Sequence, residues 1–407
     1  MAVADLVDWL DEYTGEQFVW YVKRLSGNDT LANKSHQAGP YVPKPVLFEL
    51  FPDLNQPERT DPDCWFDLYV DSHSDFRTVR AVWYNNKYRG GTRDEARLTN
   101  FGGKKSALLD PENTGALAVF VFILDPEKKV TECHVWVCDL DIDAEIVEDR
   151  IGPVEPGQWK LWSPLHPFED DLFVAAKQPT SCWLTEDKIP VSWFEKFPTG
   201  AEIIQKAIAL RADAVLPPDK RLMRRRECEF EIFRSIEAAR EIPAIKAGFK
   251  TIDDFIAKAQ TILQRRKSRS GRSLELQTKA IFLEERLVEG TDFSHQPESE
   301  GRKKPDFLFP SAFAYANAAY PANQLRMLAV KTTCRDRWRQ ILNEADRIKE
   351  KHLLTLQEGV SESQFSEMTD AGVRLVVPAP LVTSYPAAVR PHLQSLESFI
   401  GDIRLLR

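Results

Sequence analysis

Midway along the chain the spacing of apolar residues changes period, and this change constrains the fold more than any single motif. From Val19 to about Val137, short runs rich in β-branched and aromatic residues (FVWYVKRL, RAVWYN, ALAVFVFIL, HVWVC) are separated by GG, NN and DP turn signals. After Thr199 apolar residues recur at three- and four-residue spacing in AEIIQKAIAL, in Phe230 to Ala239 and in IDDFIAKAQTIL. The first texture predicts a barrel or sandwich. The second predicts an α/β domain that opens with a helical layer. A chain of 407 residues is long enough for two cores. Residues 1–170 are expected to form the first domain, 171–195 a linker and 196–407 the second, with the switch between Pro153 and Trp183.

Within the second half the pattern predicts a helix from about Ser273, a strand from Asp306 to Phe309, a strand RMLAV running into Lys331, and a helix from Arg337 to about Lys351. The longest nearly apolar run, from Ala116, is far short of the roughly 20 residues that cross a bilayer. The N-terminus is acidic and amphipathic, unlike a signal peptide. The six cysteines include no CxxC pair and no histidines at zinc-ligand spacing, which argues against a structural zinc site. A cytoplasmic protein with reduced thiols and no membrane contact is expected. The formal net charge of −8 means that any polyanion must be met by local basic patches.

Hydrolysis of a phosphodiester requires a metal held by carboxylates and a cation near the developing charge. Asp306 in the Pro-Asp pair and Lys331 have the right chemistry. The second acid of the usual nuclease arrangement would stand two residues before the lysine, where this chain has Ala329. Glu344 is a substitute, because it falls between Ile341 and Ile348 on the buried stripe of the expected helix. Glu275, beside Leu274 and Thr278, could turn inward in the same way. Each has a plainer reading: Asp306 as a turn residue, Glu344 as a glutamate snorkelling at the edge of the stripe.

Two basic segments, RLMRRRECEF from Arg221 and QRRKSRSGR from Gln264, suit phosphate contacts next to a helix N-terminus, with Arg269 in the second; a solvated basic loop is the alternative. CRDRWR from Cys334 offers Arg335 for guanine and Asp336 for cytosine, or else an intrahelical ion-pair network. In the first half, the loop leading to His36 and the stretch Asn85 to Thr99 could be two arms reaching into a groove.

The segments RRKSRSGRSLE, GRKKPDFLFPSA and RMLAVKTTCRDRWRQILNEAD resemble the catalytic domain of the EcoRII family of restriction endonucleases, and WYVKRLSGNDT, DPENTGALA and FPTGAEIIQ extend the resemblance along the whole chain. It implies a two-domain protein: an N-terminal B3-like DNA-binding pseudobarrel, and a C-terminal PD-(D/E)xK core in which the second acid has moved beyond the lysine. Asp306 and Glu344 would bind Mg2+, Lys331 would position or activate the water, and Glu275 would complete the acidic cluster. Arg335, Asp336 and Arg337 would read C·G pairs, and Arg226 with Phe230, one turn apart, would form the pocket for a flipped base. Lys23, His36, Arg80, Lys87, Arg93, Glu95 and Arg97 would bind an effector copy of the same site. The chain departs from the family's basic pattern at Gly91 and Ala96, and has Phe230 in place of a tyrosine.

The resemblance further implies a homodimer that cuts double-stranded DNA at 5'-CC(A/T)GG before the first C, held inhibited by its N-terminal domain, with a cytosine-C5 methyltransferase as its system partner. Two competing readings are a silent DNA-binding regulator and a nuclease of the same fold with another G·C-flanked site.

Overall fold

A computed structural model describes residues 3–33, 39–102, 105–162 and 182–406. His36 and residues 171–181 of the expected linker lie outside the described residues.

The first half is built on seven strands: β1 Phe18–Arg24, β2 Asp63–Val70, β3 Asp75–Tyr84, β4 Glu95–Thr99, β5 Leu117–Leu124, β6 Val130–Val137 and β7 Trp159–Trp162. Their order is β4-β3-β2-β6-β5-β1-β7, with β2 and β6 parallel and the other neighbours antiparallel. Alternation along the strands decides which face each side chain joins. Val19 and Tyr21 of β1 and Ala118, Phe120 and Phe122 of β5 enter one core with the helix Lys44–Leu50. Val22, Val119 and Val121 enter another, under the helices Val3–Glu12 and Asp141–Ile151.

The two edge strands share the first core, through Ala96 and Leu98 of β4 and Leu161 of β7, so the sheet is rolled into a pseudobarrel. The gap between its edges is bridged at Tyr41, which pairs with Arg97 on β4 while its carbonyl accepts from the Tyr21 hydroxyl (3.3 Å) and Lys23 Nζ (3.2 Å) of β1.

The second half begins with helices Gly200–Leu210, Pro218–Lys246 and Ile252–Glu284. The first is started by a capping box between Thr199 and Glu202. A five-stranded sheet follows: β8 Ser294–His295, β9 Phe307–Phe309, β10 Arg326–Lys331, β11 Lys351–Thr355 and β12 Val373–Val376, in the order β12-β11-β10-β9-β8. Strands β10 to β12 run parallel and β9 opposes β10. The Ile252–Glu284 helix docks through Phe282, whose ring lies edge-on to Phe307 at 5.2 Å and Phe309 at 5.6 Å. Glu275 sits two turns earlier on that helix and is therefore carried toward the same sheet edge.

Several local expectations are corrected. The basic segment from Gln264 to Arg272 is the interior of one 33-residue helix, not a loop at a helix N-terminus, so its amides are already used within the helix. The helix expected from Arg337 to about Lys351 is a 3-10 turn, Arg337–Asn343, followed by extended Glu344 and by Ala345 at φ 50°. Side-chain donors take the carbonyls that a longer helix would have used. Lys351 Nζ donates to Ala345 O and Ile348 O, and Lys303 Nζ donates to Asn343 O. Finally, Cys182 and Cys228 are joined as a disulfide rather than left as thiols, because the helical layer packs both into one small apolar cluster.

Candidate functional site

Strands β9 and β10 bring the first two residues together. Phe307 pairs with Leu328, which places Asp306 beside the end of β10. Asp306 Oδ2 accepts the Val330 amide at 2.7 Å and lies 3.4 Å from Lys331 Nζ. Burial raises the Asp306 pKa and the negative charge of Glu275 adds to this, while Lys331 and the Val330 amide oppose it.

Glu344 reaches the same locus from the extended residue after the 3-10 turn. Burial pushes its carboxyl up to about 7, with Lys331 opposing and Asp306 adding to the rise. Glu275 is held by Gln296 Nε2 at 2.7 Å and His295 Nε2 at 2.5 Å. The pattern did not single out these two residues, because they lie in a short stretch with no periodicity. A histidine-amide pair just upstream of the Pro-Asp motif was the available signal.

Among the described residues no group of three or more His, Cys, Asp or Glu side chains is arranged to hold a metal. Magnesium needs fewer protein ligands than that: one or two carboxylates, with water and substrate phosphate supplying the rest. Asp306 and Glu344 are hard oxygen donors in a setting where negative charge is disfavoured until a cation arrives, so the pair fits such an ion.

Of the three expected base-reading residues, Arg335 and Arg337 are engaged by the first half of the chain and Asp336 is not. Arg335 donates to the carbonyls of Cys138 (2.6 Å) and Asp139 (2.8 Å). Arg337 lies 3.8 Å from Asp141 and 3.5 Å from Glu145. Asp336 pairs with Arg339. Arg226 and Arg269 grip opposite oxygens of Glu155, at 2.5 and 2.6 Å, and both also contact buried Glu229. Arg269 also lies over the Phe230 ring, 5.2 Å from its centroid. Burial alone would raise Glu155, but the two guanidiniums outweigh it and hold the carboxyl at about 2.

In the first half, Lys23 pairs with buried Asp29 at 2.7 Å and Arg80 with Asp63 at 2.8 Å. Glu95 joins Arg93 (2.9 Å) to Arg97 (3.2 Å), and Arg97 also donates to Gly39 O. Lys87 is exposed on the turn after β3. Lys23 and Arg97 line a cavity of about 750 Å³ that is also lined by Phe230, Arg269 and Glu358. The two halves meet closely beside it: the Gly27 amide donates to Glu358 O at 2.6 Å, and a Cβ on Gly27 would lie 2.2 Å from Ser384 O.

Residues 14–165 match the family model described as restriction endonuclease EcoRII, N-terminal, and residues 233–400 match the model described as EcoRII C terminal. The chain is 41% identical over 398 residues to the type II restriction enzyme EcoRII of Escherichia coli, covering 97% of this chain and 96% of that protein. Among solved structures, metal-depleted Ecl18kI in complex with uncleaved DNA aligns at a TM-score of 0.43 and 18% identity, over 52% of this chain and 80% of that one. The B3 domain of the UbaLAI restriction endonuclease with cognate DNA aligns at 0.28 and 17%, over 39% of this chain and 98% of that one.

Proposed function

Because this chain belongs to the EcoRII family of type II restriction endonucleases, and so is a site-specific, DNA-binding nuclease, we propose that it cleaves 5'-CC(A/T)GG before the first C on both strands and is held closed by its own N-terminal half. Asp306 and Glu344 are the ligands for Mg2+, which when bound polarises the phosphate and acidifies a water. Lys331 stabilises charge developing on the scissile phosphate, and Glu275 supports the acidic cluster. Arg335, Asp336 and Arg337 read the C·G pairs. Arg226, Phe230 and Arg269 receive the flipped central base.

The observation that carries the regulatory part is the grip of Arg226 and Arg269 on Glu155. Each arginine commits Nη2 to the N-terminal half while Nη1 stays on Glu229 of its own half, and Arg335 commits both terminal nitrogens to Cys138 and Asp139. Target DNA and the N-terminal half thus compete for the same side chains. Effector DNA is bound by Lys23, His36, Arg80, Lys87, Arg93, Glu95 and Arg97, of which Lys23 and Arg97 line the cavity that both halves share, and prises the halves apart. The protein acts as a homodimer on its near-palindromic site, in the cytoplasm, alongside a cytosine-C5 methyltransferase that protects the host genome. No helix among the described residues is long and apolar enough to cross a membrane.

The test is digestion of a plasmid carrying several CC(A/T)GG sites with Mg2+, with EDTA and Lys331→Ala controls and sequencing of the fragment ends. Cuts before the first C, lost in both controls, support the assignment. Tight site-specific binding with an intact plasmid would make the chain a silent regulator.

A further inference from the structure

Glu275 is not left to find its own orientation. It accepts two hydrogen bonds on one oxygen, Oε1, from His295 Nε2 at 2.5 Å and Gln296 Nε2 at 2.7 Å. The two donors come from the segment that also carries the nuclease strand: His295 pairs with Phe307, and the Gln296 amide donates to the carbonyl of Asp306 at 2.9 Å. A helix residue is thereby tied to the backbone of a proposed metal ligand.

The proton that makes this possible is also placed. Lys279, one turn after Glu275, brings Nζ to 3.4 Å from His295 Nδ1. An ammonium can only donate, so Nδ1 accepts and the imidazole proton resides on Nε2, facing Glu275. The ring is steadied against Phe307, at 5.2 Å between centroids.

From this geometry we infer that His295 and Gln296, supported by Lys279, are positioning residues for the reaction. They hold Glu275 inward against the repulsion of Asp306, with Oε1 committed to the protein and Oε2 left to serve a hydrated cation at the Asp306–Glu344 pair. Without them the carboxylate, sitting at the rim of a cluster of like charge, turns outward to water. The inference rests on the nuclease reading of that cluster and deepens it.

The test compares His295→Leu, which keeps the contact with Phe307 and loses the donor, with His295→Gln, whose amide nitrogen can stand where Nε2 stands. Mn2+ affinity is read by electron paramagnetic resonance on the full-length protein, folding by thermal melts, and single-turnover cleavage as a function of Mg2+. The Leu variant is expected to lose at least about tenfold in Mn2+ affinity, the usual scale for removing an outer-shell partner, and the Gln variant to return to within about threefold of wild type. Unchanged Mn2+ affinity in the Leu variant overturns the inference. So does a Gln variant as impaired as the Leu variant when both melt early, because the role would then be structural. If the wild type does not cleave at all, the nuclease reading fails, while the Mn2+ comparison still judges the positioning role.

Discussion

Arg226 donates to Glu155 at 2.5 Å across the seam between the two halves of the chain, and it does so from the helix turn that also carries Phe230. With Arg269 on the other oxygen, one carboxylate of the N-terminal half occupies both cations that the catalytic half brings to the proposed base pocket. Under the proposed regulation, a clasp of this kind would make binding and release a single competition, and its strength would set how much effector is needed.

The clasp has a defined acid limit. The folded Glu155 pKa, about 2, lies below its ordinary 4.5, so the stabilisation is fully present above about pH 4.5 and is lost as pH falls toward 2. The shift corresponds to roughly 3–3.5 kcal/mol. Tryptophan fluorescence from Trp159 and Trp162, near the same cavity, is expected to report opening in that window, and Glu155→Gln is expected to remove the transition.

Glu344 behaves in the opposite sense. Its carboxyl is raised from 4.5 to about 7, so the metal-free fold binds this proton more tightly than the unfolded chain does, and stability falls as pH rises from 4.5 through 7. In metal-free buffer, Glu344→Gln is expected to raise stability at pH 8 by about 1–2 kcal/mol after allowance for partial exposure, with no gain at pH 4.5. Urea denaturation at the two pH values checks this. A variant equally stable or less stable at pH 8 contradicts it.

For the chemistry itself, Lys331→Ala and Asp306→Asn are expected to lower the single-turnover cleavage rate by about 10²–10³-fold or more, with DNA affinity in Ca2+ nearly unchanged. A rate loss matched by an equal loss of binding would place these residues in recognition instead.

Arg335 has two roles in this account and so makes a two-part prediction. Arg335→Ala releases the Cys138 and Asp139 carbonyls and should ease opening of the clasp. It should also cost about 1–3 kcal/mol of discrimination at one C·G pair. Competition binding with single-base-pair variants of the site separates the two effects.

The architecture was legible where periodicity was strong. The runs around β1, β3, β5 and β6 stand out as β-branched and aromatic stretches between turn signals, whereas β2 (DCWFDLYV) and β4 (EARLT), which carry more charge, do not. Asp306, Lys331 and Glu344 could be proposed from residue type and burial, and the structure brings Asp306 and Lys331 within 3.4 Å, with Glu344 in electrostatic reach. The backbone carrying Glu344 departs from the helix its periodicity predicts, because tertiary donors such as Lys351 outcompete the helix for its carbonyls. Contacts between Glu155 and arginines 71 and 114 residues away left no local trace. Charge in each segment is ordinary until the fold opposes them.

The most direct measurement is cleavage of linear DNA bearing one CC(A/T)GG site, by wild type and by Glu155→Ala, with and without a short duplex carrying a second copy. Slow cutting by wild type, accelerated by the duplex, and fast cutting by Glu155→Ala with little further response are expected. Equal, duplex-dependent rates for the two proteins would contradict a clasp built on Glu155.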